Sequence, residues 1–369
     1  MHSPKTVDIS ITTSCNLRCK YCSHFTSASD VSADLPFEEW LRFFEELNRA
    51  AVLSVTIEGG EPFFRKDIKK IIEGIVRNRM RFSILSNGTL ITDEMAAFLA
   101  STKRCDSVQV SIDGSIPFTH DAMRGEGNFR KAVNGLLALR RNNVRATVRV
   151  TIHRKNVDDL EHIAKFLLED IGLSGFGTNS ACYMGICRKN ADEVQLTTEE
   201  RTRAMKILLQ LDKKYPGRIS AMAGPLAEAR MWLKMEEARR KREAIPGRGR
   251  LVGCGGSWSK IAVRPDGVYV PCLMISHIEL GRINYNPLID IWQNHEELKK
   301  LRERRQISLS EFPYCKDCAY IDLCSGSCPA LAYTYLGQVH HPSPDACLKR
   351  FLEEGGRLPD ESLMTSVKC

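Results

Sequence analysis

The run TTSCNLRCKYC, residues 12–22, places Cys15, Cys19 and Cys22 in a C-x3-C-x2-C spacing directly after a β-like segment. Three thiolates on one short loop can hold three irons of a [4Fe–4S] cube and leave the fourth iron open. An open iron can bind a ligand and pass an electron to it, so the run predicts an enzyme of one-electron chemistry. Two alternatives fit the same residues: three buried structural cysteines, or part of a zinc site with a fourth ligand such as His24.

Length and cysteine usage narrow the class of protein. The chain has 369 residues, which favours one large domain or two domains. Ten of its 14 cysteines fall into two groups, and their spacing favours metal over disulfide in a reducing cytoplasm. The first residues lack the basic and apolar regions of a signal peptide, and no run of about 18 apolar residues predicts a membrane helix.

The net charge of +8 arises largely in residues 233–250 and 299–305. Such stretches can form a surface for an acidic peptide or a nucleic acid. They can also form a solvated helical face, and the intermixed glutamates favour this second interpretation. We therefore expect neither a nucleic-acid nor a membrane partner.

Residues 7 to 180 alternate between β-like and helix-like segments. The β-like segments are short and rich in Val, Ile and Thr: 7–13, 53–59, 81–87, 106–113, 146–154 and 175–180. The helix-like segments carry apolar residues at helical spacing: 36–50, 67–78, 93–100, 128–142 and 157–170. Thr92 and Asn156 are predicted N-caps. Six alternations predict an α/β fold, a parallel sheet with helices outside it and chemistry at the carboxyl ends of the strands.

A second motif, EGGEP at residues 58–62, follows the second predicted strand. Its two glycines let the backbone approach a ligand closely. Glu61 adds a carboxylate that can pair with an ammonium group. The motif therefore predicts a binding loop beside the first cysteine group.

With both motifs in this order, the chain resembles the radical SAM superfamily, whose members carry C-x3-C-x-aromatic-C and then GGE in a partial (β/α)6 barrel. Tyr21 is the aromatic residue here. The resemblance implies that S-adenosylmethionine (SAM) binds the open iron, and that Gly59, Gly60, Glu61 and Pro62 hold its amino end. The reduced cluster would then cleave SAM to methionine and a 5′-deoxyadenosyl radical, which takes hydrogen from the substrate.

The same resemblance implies further site residues at later strand ends. Ser111, in SIDG (111–114), is implied as a contact of the SAM ribose, and Asp113 is a catalytic candidate facing the same cavity. Arg124, in HDAMRG (120–125), is implied to pair with the SAM carboxylate. On the residues alone, SIDG and the SNG of residues 86–88 are also typical of turns that place glycine at a positive φ.

The second cysteine group occupies the C-terminal third. In chain order its cysteines are Cys254, Cys272, Cys315, Cys318, Cys324, Cys328 and Cys347. With Gly267 in a predicted hairpin, RPDGVYVPC, the pattern resembles the SPASM domain that follows the barrel in many peptide-modifying radical SAM enzymes. Two zinc sites are the alternative on the residues alone.

The SPASM resemblance implies two interleaved auxiliary clusters of the [4Fe–4S] type. The first would be held by Cys254, Cys272 and Cys328. The second would be held by Cys315, Cys318, Cys324 and Cys347. Interleaving of this kind also stabilises a small, loop-rich region.

The chain departs from sulfatase-maturing relatives in two places. No extra cysteine follows in GGSWSKIAV (255–263), and Leu273 stands where those relatives carry an aspartate. A sulfatase-maturing role is therefore not expected. The first auxiliary cluster then has either an open iron or a fourth ligand from elsewhere.

Four cysteines lie outside both groups. Cys182 and Cys187, in ACYMGIC after the sixth strand, are candidates for that fourth ligand, for a hydrogen-atom donor, or for ordinary thiols that behave as small apolar residues. Cys105 and Cys369 are expected to have no special role. We place the barrel at 1–220, a helical connector at 221–246, the SPASM domain at 247–352 and a tail at 353–369.

Substrate and partners follow from the resemblance. SPASM relatives mostly oxidise, crosslink or epimerise ribosomally made peptides, and others act on haem precursors or small molecules. The CSHFTSASDV stretch (22–31) and the chain length are similar to maturases of SynChlorMet-type peptide cassettes. Only six residues precede the first predicted strand, so we expect a separate PqqD-like protein to deliver a peptide substrate. A flavodoxin- or ferredoxin-type donor would supply electrons. A module that only stores electrons is a further alternative, although it would not need the EGGEP loop.

Overall fold

The computed structural model describes residues 2–23 and 34–363. Its strands are β1 Thr6–Ser10, β2 Ser54–Glu58, β3 Arg81–Ser86, β4 Cys105–Ser111, β5 Ala146–Ile152, β6 Phe176–Ser180, β7 Ile219–Ala221, β8 Lys260–Val263, β9 Val268–Val270 and β10 Gly281–Arg282. They form one sheet in the order β10-β9-β8-β1-β2-β3-β4-β5-β6-β7. Strands β1 to β8 pair in parallel, and β9 and β10 are added antiparallel. The predicted α/β class and its mostly parallel sheet are confirmed.

Helices connect the parallel strands and continue into the C-terminal region. They are α1 Phe37–Arg49, α2 Ile68–Arg77, α3 Asp93–Ser101, α4 Pro117–Arg124, α5 Asn128–Arg141, α6 Leu160–Lys165, α7 Ile186–Lys189, α8 Ala191–Val194, α9 Thr198–Lys214, α10 Pro225–Lys241, α11 Gly255–Trp258, α12 Leu288–Asn294, α13 Glu296–Glu303, α14 Pro313–Lys316, α15 Pro329–Leu336 and α16 Leu348–Glu353. Helix α6 continues as a π-helix, Phe166–Asp170. None of the helices in residues 2–23 and 34–363 is long and apolar enough to cross a membrane.

The six predicted strands are present as β1 to β6, and the predicted helices between them are present as well. In β1, Val7 and Ile9 are fully buried, while Asp8 and Ser10 point to the opposite face. The same alternation places apolar side chains under the helices and polar side chains inside the partial barrel. This division lets the concave face bind a polar ligand.

The C-terminal region joins the barrel sheet directly, which the sequence pattern did not predict. Strand β8 pairs in parallel with β1, with Thr6 opposite Lys260 and Ile9 opposite Val263. The predicted hairpin is confirmed as β8 and β9, with Gly267 at a φ of +85°. The cysteine-rich region therefore extends the sheet of the barrel.

One apolar core serves both parts of the chain. The predicted apolar face of α1 is confirmed, since Trp40, Phe43, Phe44 and Leu47 are fully buried. Phe43 meets the ring of Tyr269, on β9, edge to face at 5.7 Å between ring centroids. Helix α1 of the barrel thus packs on a strand of the C-terminal region.

The two predicted N-caps have different outcomes. Thr92 accepts a hydrogen bond from the Met95 N–H at 3.2 Å and caps α3, as predicted. The prediction for Asn156 is wrong, because its side chain makes no capping hydrogen bond. Its amide instead donates to the carbonyls of Asp113 and Thr151 at 2.9 Å each. Those buried carbonyls need a donor, and Asn156 supplies it across the ends of β4 and β5.

The basic stretches form ion pairs along helix faces. In α10, Arg239 pairs with Glu236 and Lys241 pairs with Glu237, each at 2.6 Å. Lys300 pairs with Glu297 in α13 at 2.8 Å. These pairs agree with the interpretation of a solvated, mixed-charge helical surface.

Because β8 belongs to the barrel sheet, Ile261→Ala should destabilise the barrel as well as the C-terminal region. Ile261 is fully buried, and truncation of such a side chain costs about 2–5 kcal/mol of unfolding free energy. Hydrogen exchange of the β1 and β2 amides, followed by mass spectrometry, should accelerate together with that of β8.

Leu53→Ala is the control, because Leu53 is 67% exposed. This variant should leave exchange unchanged apart from its own neighbours. Exchange in β1 and β2 that stays at the wild-type rate in Ile261→Ala would show that the two regions unfold independently.

Candidate active site

The carboxyl ends of β1 to β5 bring the predicted motifs to one edge of the sheet. The cysteine run follows β1 and the EGGEP loop follows β2, and the two loops are hydrogen-bonded to each other. The N–H of Gly60 donates to the Thr12 carbonyl at 2.8 Å, and the N–H of Glu61 donates to the Ser14 carbonyl at 2.9 Å. These bonds fix the position of the loop that carries the first cysteine group.

The glycines of EGGEP are required by this contact. A Cβ added at Gly60 would lie 2.2 Å from the Ser14 carbonyl oxygen, and one added at Gly59 would lie 2.5 Å from the Thr12 carbonyl oxygen. Neither distance can accommodate a carbon atom. The close backbone approach expected of these glycines is therefore an approach to the cysteine loop.

The Glu61 carboxylate is fully buried and is used inside the protein. It accepts hydrogen bonds from the Asn87 N–H at 2.7 Å, the Ser86 hydroxyl at 2.9 Å and the Phe63 N–H at 3.1 Å. Burial raises its pKa to about 7, although these hydrogen bonds oppose the rise. The carboxylate therefore holds the loop in place, and its predicted pairing with an ammonium group stays a prediction.

The sulfur atoms of Cys15 and Cys19 lie close to polar groups of the surrounding residues. Cys15 Sγ accepts a hydrogen bond from the Leu17 N–H at 3.4 Å and lies 3.9 Å from Nδ2 of the Asn87 side chain. Cys19 Sγ lies 4.0 Å from Nη1 of Arg124. Burial raises the pKa of Cys19 to about 12, so a metal is what would hold this sulfur as a thiolate at neutral pH.

Asp113 is at the centre of a buried hydrogen-bond network. Its carboxylate accepts from Arg124 Nε at 2.5 Å, from the Thr151 N–H at 2.8 Å and from the Tyr21 hydroxyl. Burial alone would raise the pKa of Asp113, but the Arg124 guanidinium and the neighbouring groups His120 and His153 together outweigh burial and hold that pKa below its ordinary value. The residue is fully buried and its acceptors are occupied. The expectation that Asp113 faces the cavity as a catalytic group is therefore replaced by a structural role.

Arg124 and Ser111 lie at the same edge. The Arg124 side chain is only 7% exposed and its Nε binds Asp113, so only its terminal nitrogens remain for the predicted SAM carboxylate. Its guanidinium also lies 5.3 Å from the centroid of the Tyr21 ring. Ser111 is half-buried and pairs in register with Arg149 of β5. Both residues keep their predicted roles as proposals.

Sequence reasoning missed two histidines in this network. His153 follows β5 and stacks on Tyr21 with ring centroids 5.9 Å apart, and His120 accepts the Asp113 N–H at Nδ1. Burial lowers the pKa of each to about 4. The signal available for His153 was its place just after a strand, where polar residues collect in such folds.

Some buried polar atoms at this edge lack a partner. Within residues 2–23 and 34–363, these include Nε2 of His153 and Oδ1 of Asn179. Buried polar atoms are almost always satisfied in native proteins. A polar ligand bound over the ends of β5 and β6 fits this observation.

Four cysteines of the second group surround one cavity. Its volume is about 620 Å³, and Cys315, Cys318, Cys324 and Cys347 all line it. The other lining groups include the apolar side chains of Leu309 and Phe312. A cavity lined by four thiols and apolar side chains suits an iron–sulfur cluster.

The remaining three cysteines of that group form a second set. Cys254, Cys272 and Cys328 are close enough for their charges to interact, since the thiolates of Cys254 and Cys328 add to the effect of burial in raising the pKa of Cys272 to about 11. The structure therefore brings the seven cysteines together in the two sets that the resemblance implied, while their role as ligands stays a proposal.

Backbone N–H groups point at several of these sulfurs. Each comes from the residue two positions later, with N–S distances of 3.4 to 3.5 Å: Leu17 to Cys15, Gly256 to Cys254, Tyr320 to Cys318 and Gly326 to Cys324. Such bonds stabilise thiolates and tune cluster potentials.

In the described part of the chain, no three Cys, His, Asp or Glu side chains are arranged around a single ion. Cluster thiolates each bind a different iron, so they need not converge on one point as zinc ligands do. Among the predicted residues, His24 and Cys369 lie outside the described part of the chain, as does most of the stretch 22–31.

The loop at residues 181–190 connects the two cluster regions. The Ile186 N–H donates to the Cys22 carbonyl at 3.0 Å, and Arg188 donates to the Thr334 carbonyl of α15 at 2.6 Å. Cys187 is fully buried against Met123 and packs with Tyr21, so it behaves as an apolar residue. Cys182 is half-buried, and burial raises its pKa to about 12 with help from the charges of Asp345 and Cys328. Of the two candidates, only Cys182 faces the SPASM cysteines.

Comparison with known proteins matches two families. Residues 9–167 match the Radical SAM superfamily, and residues 254–319 match SPASM, an iron–sulfur cluster-binding domain. Fe-coproporphyrin III synthase of Methanosarcina barkeri is 28% identical over 356 residues, which cover 91% of this chain and 86% of that protein. PqqA peptide cyclase of Bradyrhizobium diazoefficiens is 24% identical over 352 residues, which cover 94% and 86%.

Solved structures share the fold. Streptococcus suis SuiB bound to its precursor peptide SuiA superposes with a TM-score of 0.71 at 15% identity, over 94% of this chain and 76% of that chain. At this level of identity the likeness concerns the fold. The two family matches and this shared fold together confirm the predicted α/β radical SAM barrel followed by a SPASM domain.

Asp113→Asn should destabilise the protein strongly, because it leaves the buried Arg124 guanidinium without a charged partner. Breaking such a pair costs about 3–5 kcal/mol of unfolding free energy. Asp106→Asn is the matched control, because Asp106 pairs with Arg81 at the surface and the loss should be about 1 kcal/mol or less. Urea denaturation measures the unfolding free energy of both variants. An Asp113→Asn variant that is as stable as wild type, and defective only in turnover, would restore the catalytic assignment.

Proposed function

The chain belongs to the radical SAM superfamily and carries a SPASM domain, and from this premise we propose that it oxidatively modifies or crosslinks a ribosomally made peptide. A radical SAM domain binds a [4Fe–4S] cluster and SAM, and a SPASM domain binds auxiliary iron–sulfur clusters. The observation that carries the proposal is the hydrogen-bonded contact between the Cys15 loop and the EGGEP loop at the carboxyl ends of β1 and β2.

Three cysteines are proposed to hold the SAM-binding cluster: Cys15, Cys19 and Cys22. When bound and reduced, this cluster supplies the electron that cleaves SAM, and the resulting 5′-deoxyadenosyl radical abstracts hydrogen from the substrate. The protein groups proposed to hold SAM are Tyr21, Gly59, Gly60, Glu61, Pro62, Ser111 and Arg124. The two SPASM sets are proposed to hold the auxiliary clusters.

The residues around the cluster loop hold it rigid and exclude water. The Asp113 carboxylate ties Tyr21, on the cysteine loop, to Arg124 on α4 and to the backbone of β5. Glu61 ties the loop after β2 to the end of β3. Both carboxylates are fully buried, so water cannot compete for the hydrogen bonds that they accept. Exclusion of water protects reactive species from side reactions.

A peptide substrate is supported by the relatives and by the surface of the barrel edge. The PqqA peptide cyclase relative matches over 94% of this chain, and SuiB with its precursor peptide shares the fold. Ile116 and Phe118, after β4, are 50% and 83% exposed, and Met222, after β7, is 90% exposed. These apolar side chains offer contacts to an extended peptide at the mouth of the barrel. We also propose a PqqD-like delivery protein and a flavodoxin- or ferredoxin-type electron donor.

A second candidate is a small-molecule or haem-precursor substrate. The Fe-coproporphyrin III synthase relative, at 28% identity, supports it as directly as the cyclase supports the peptide. Within the peptide proposal, epimerisation is the alternative to oxidation. It needs a hydrogen-atom donor, for which Cys182 is the better placed thiol, since Cys187 is fully buried.

Paired incubations separate these candidates. The reconstituted enzyme with SAM and reductant receives either a precursor peptide encoded beside its gene or a porphyrin precursor of haem. We expect the peptide alone to raise 5′-deoxyadenosine above the substrate-free rate and to lose about 2 Da per oxidation. Turnover of the porphyrin alone would contradict the peptide proposal, and an unchanged peptide mass with deuterium uptake from solvent would indicate epimerisation.

Cys19→Ala should abolish reductive SAM cleavage, because a cluster that lacks one of three ligands on the loop cannot be held in place. Chromatography of 5′-deoxyadenosine under dithionite measures the loss, which we expect to exceed about 100-fold. Cys105→Ala is the matched control, since Cys105 is a half-buried thiol on β4 outside both groups. Equal cleavage by the two variants would contradict the ligand assignment.

Anaerobic reconstitution should load about twelve irons, from three [4Fe–4S] clusters. Cys318→Ala should lower this number by about four, keep substrate-free SAM cleavage and stop product formation. Iron and sulfide analysis measures the loading. A wild-type content of about four irons would contradict the auxiliary clusters, and unchanged turnover in Cys318→Ala would contradict their role in the reaction.

A further inference from the structure

Arg304 is a fully buried cation beside the first SPASM set. It follows α13, and its guanidinium donates to three backbone carbonyls: Val252 at 2.5 Å, Val339 at 2.9 Å and His341 at 3.0 Å. An arginine without exposed surface is rare, because an ionised group is costly to remove from water unless it is paired. The position of this side chain therefore needs a physical reason.

The three carbonyls lie on two segments, one that leads to Cys254 and one that follows the helix capped by Cys328. Val252 lies two residues before Cys254, and its N–H donates to the Ser325 carbonyl at 2.8 Å. Val339 and His341 lie in the chain that follows α15, and Cys328 is the N-cap of α15. The guanidinium thus links the approach to Cys254 with the exit from the helix that Cys328 begins.

The acidic side chains close to Arg304 are two cysteines of this set. In the described part of the chain, no carboxylate forms an ion pair with Arg304, and the acidic groups near enough to act on it are the side chains of Cys254 and Cys328. Burial lowers the pKa of Arg304 to about 10, and negative charge on those two sulfurs would oppose the fall. Among the other cations near this set, Lys260 already pairs with Asp8 at 2.6 Å and is 44% exposed.

We propose that Arg304 is the buried counter-charge of the first auxiliary cluster and sets its reduction potential. The inference rests on the proposed ligand set Cys254, Cys272 and Cys328. A four-iron cluster with thiolate ligands is an anion, and reduction adds one more negative charge. A fixed guanidinium in a low-dielectric interior stabilises the reduced form more than the oxidised form. Arg304 is a positioning residue, since it acts through the cluster and through the loops that hold its ligands.

Redox titration of the reconstituted holoenzyme, monitored by electron paramagnetic resonance, tests the proposal. In Arg304→Gln, one auxiliary signal should titrate at a more negative potential. At a fixed potential its ratio of reduced to oxidised cluster should fall at least tenfold, which corresponds to about 59 mV for one electron. The signal of the amino-terminal cluster, identified by its change on SAM addition, and the other auxiliary signal should keep their potentials.

Arg302→Gln is the matched control. Arg302 lies in α13, two residues before Arg304, and donates to the Ser257 carbonyl at 2.8 Å and the Trp292 carbonyl at 2.5 Å, but it is not among the charged groups that act on Cys254. It should leave all three potentials unchanged. Equal shifts in both variants, or no shift in Arg304→Gln, would overturn the proposal.

Arg304→Lys separates charge from packing. Lysine keeps the positive charge but loses the planar fork that reaches three carbonyls. If Arg304→Gln does not bind the first auxiliary cluster, an Arg304→Lys variant that binds this cluster with a potential near that of wild type supports the counter-charge. Loss of the cluster from both variants overturns the proposal in favour of a purely structural role. Failure of the ligand set itself is distinguishable, because wild-type protein would then load only about eight irons and show a single auxiliary signal.

Discussion

The buried ion pair between Asp113 and Arg124 is the interaction on which the candidate site depends. Their side chains are 0% and 7% exposed, and the carboxylate also accepts from Tyr21 and from the backbone of β5. One carboxylate therefore joins the cysteine loop, α4 and two strands. A buried charge has a large desolvation cost, so the pair persists only while all its partners are in place. That requirement gives the cluster loop a single geometry.

The second constraint is the continuity of the sheet. Strand β8 pairs with β1, which is the strand that leads into the cysteine loop. The loop at residues 181–190 then connects Cys22 with α15, the helix that begins after Cys328. The SPASM region is therefore held in a fixed position relative to the SAM site by backbone pairing on one side and by a loop on the other. This arrangement suits electron exchange or substrate binding between the clusters.

Much of this could be predicted from the sequence, because local rules determine it. The short segments rich in Val, Ile and Thr that form β1 to β6, the helical spacing in α1 and the Thr92 cap are all short-range features, and the structure has them. The two cysteine sets were implied by the resemblance to the SPASM domain, whose ligand spacing this chain shares. The β1–β8 pairing was not predictable, since it joins residues about 250 positions apart and β8 has only four residues. The contacts of Glu61, Asp113 and Asn156 were not predicted for a related reason: most of their partners lie on elements distant in sequence, which no local pattern reveals.

The central claim is that the iron held by Cys15, Cys19 and Cys22 has a position open to SAM. Electron–nuclear double resonance of the reduced holoenzyme, with SAM labelled by nitrogen-15 at its amino group, tests it most directly. We expect a hyperfine coupling between the labelled amino nitrogen and one cluster. This coupling should disappear when unlabelled SAM displaces the labelled SAM. A spectrum without that coupling, or zinc as the metal bound by these three cysteines, would contradict it.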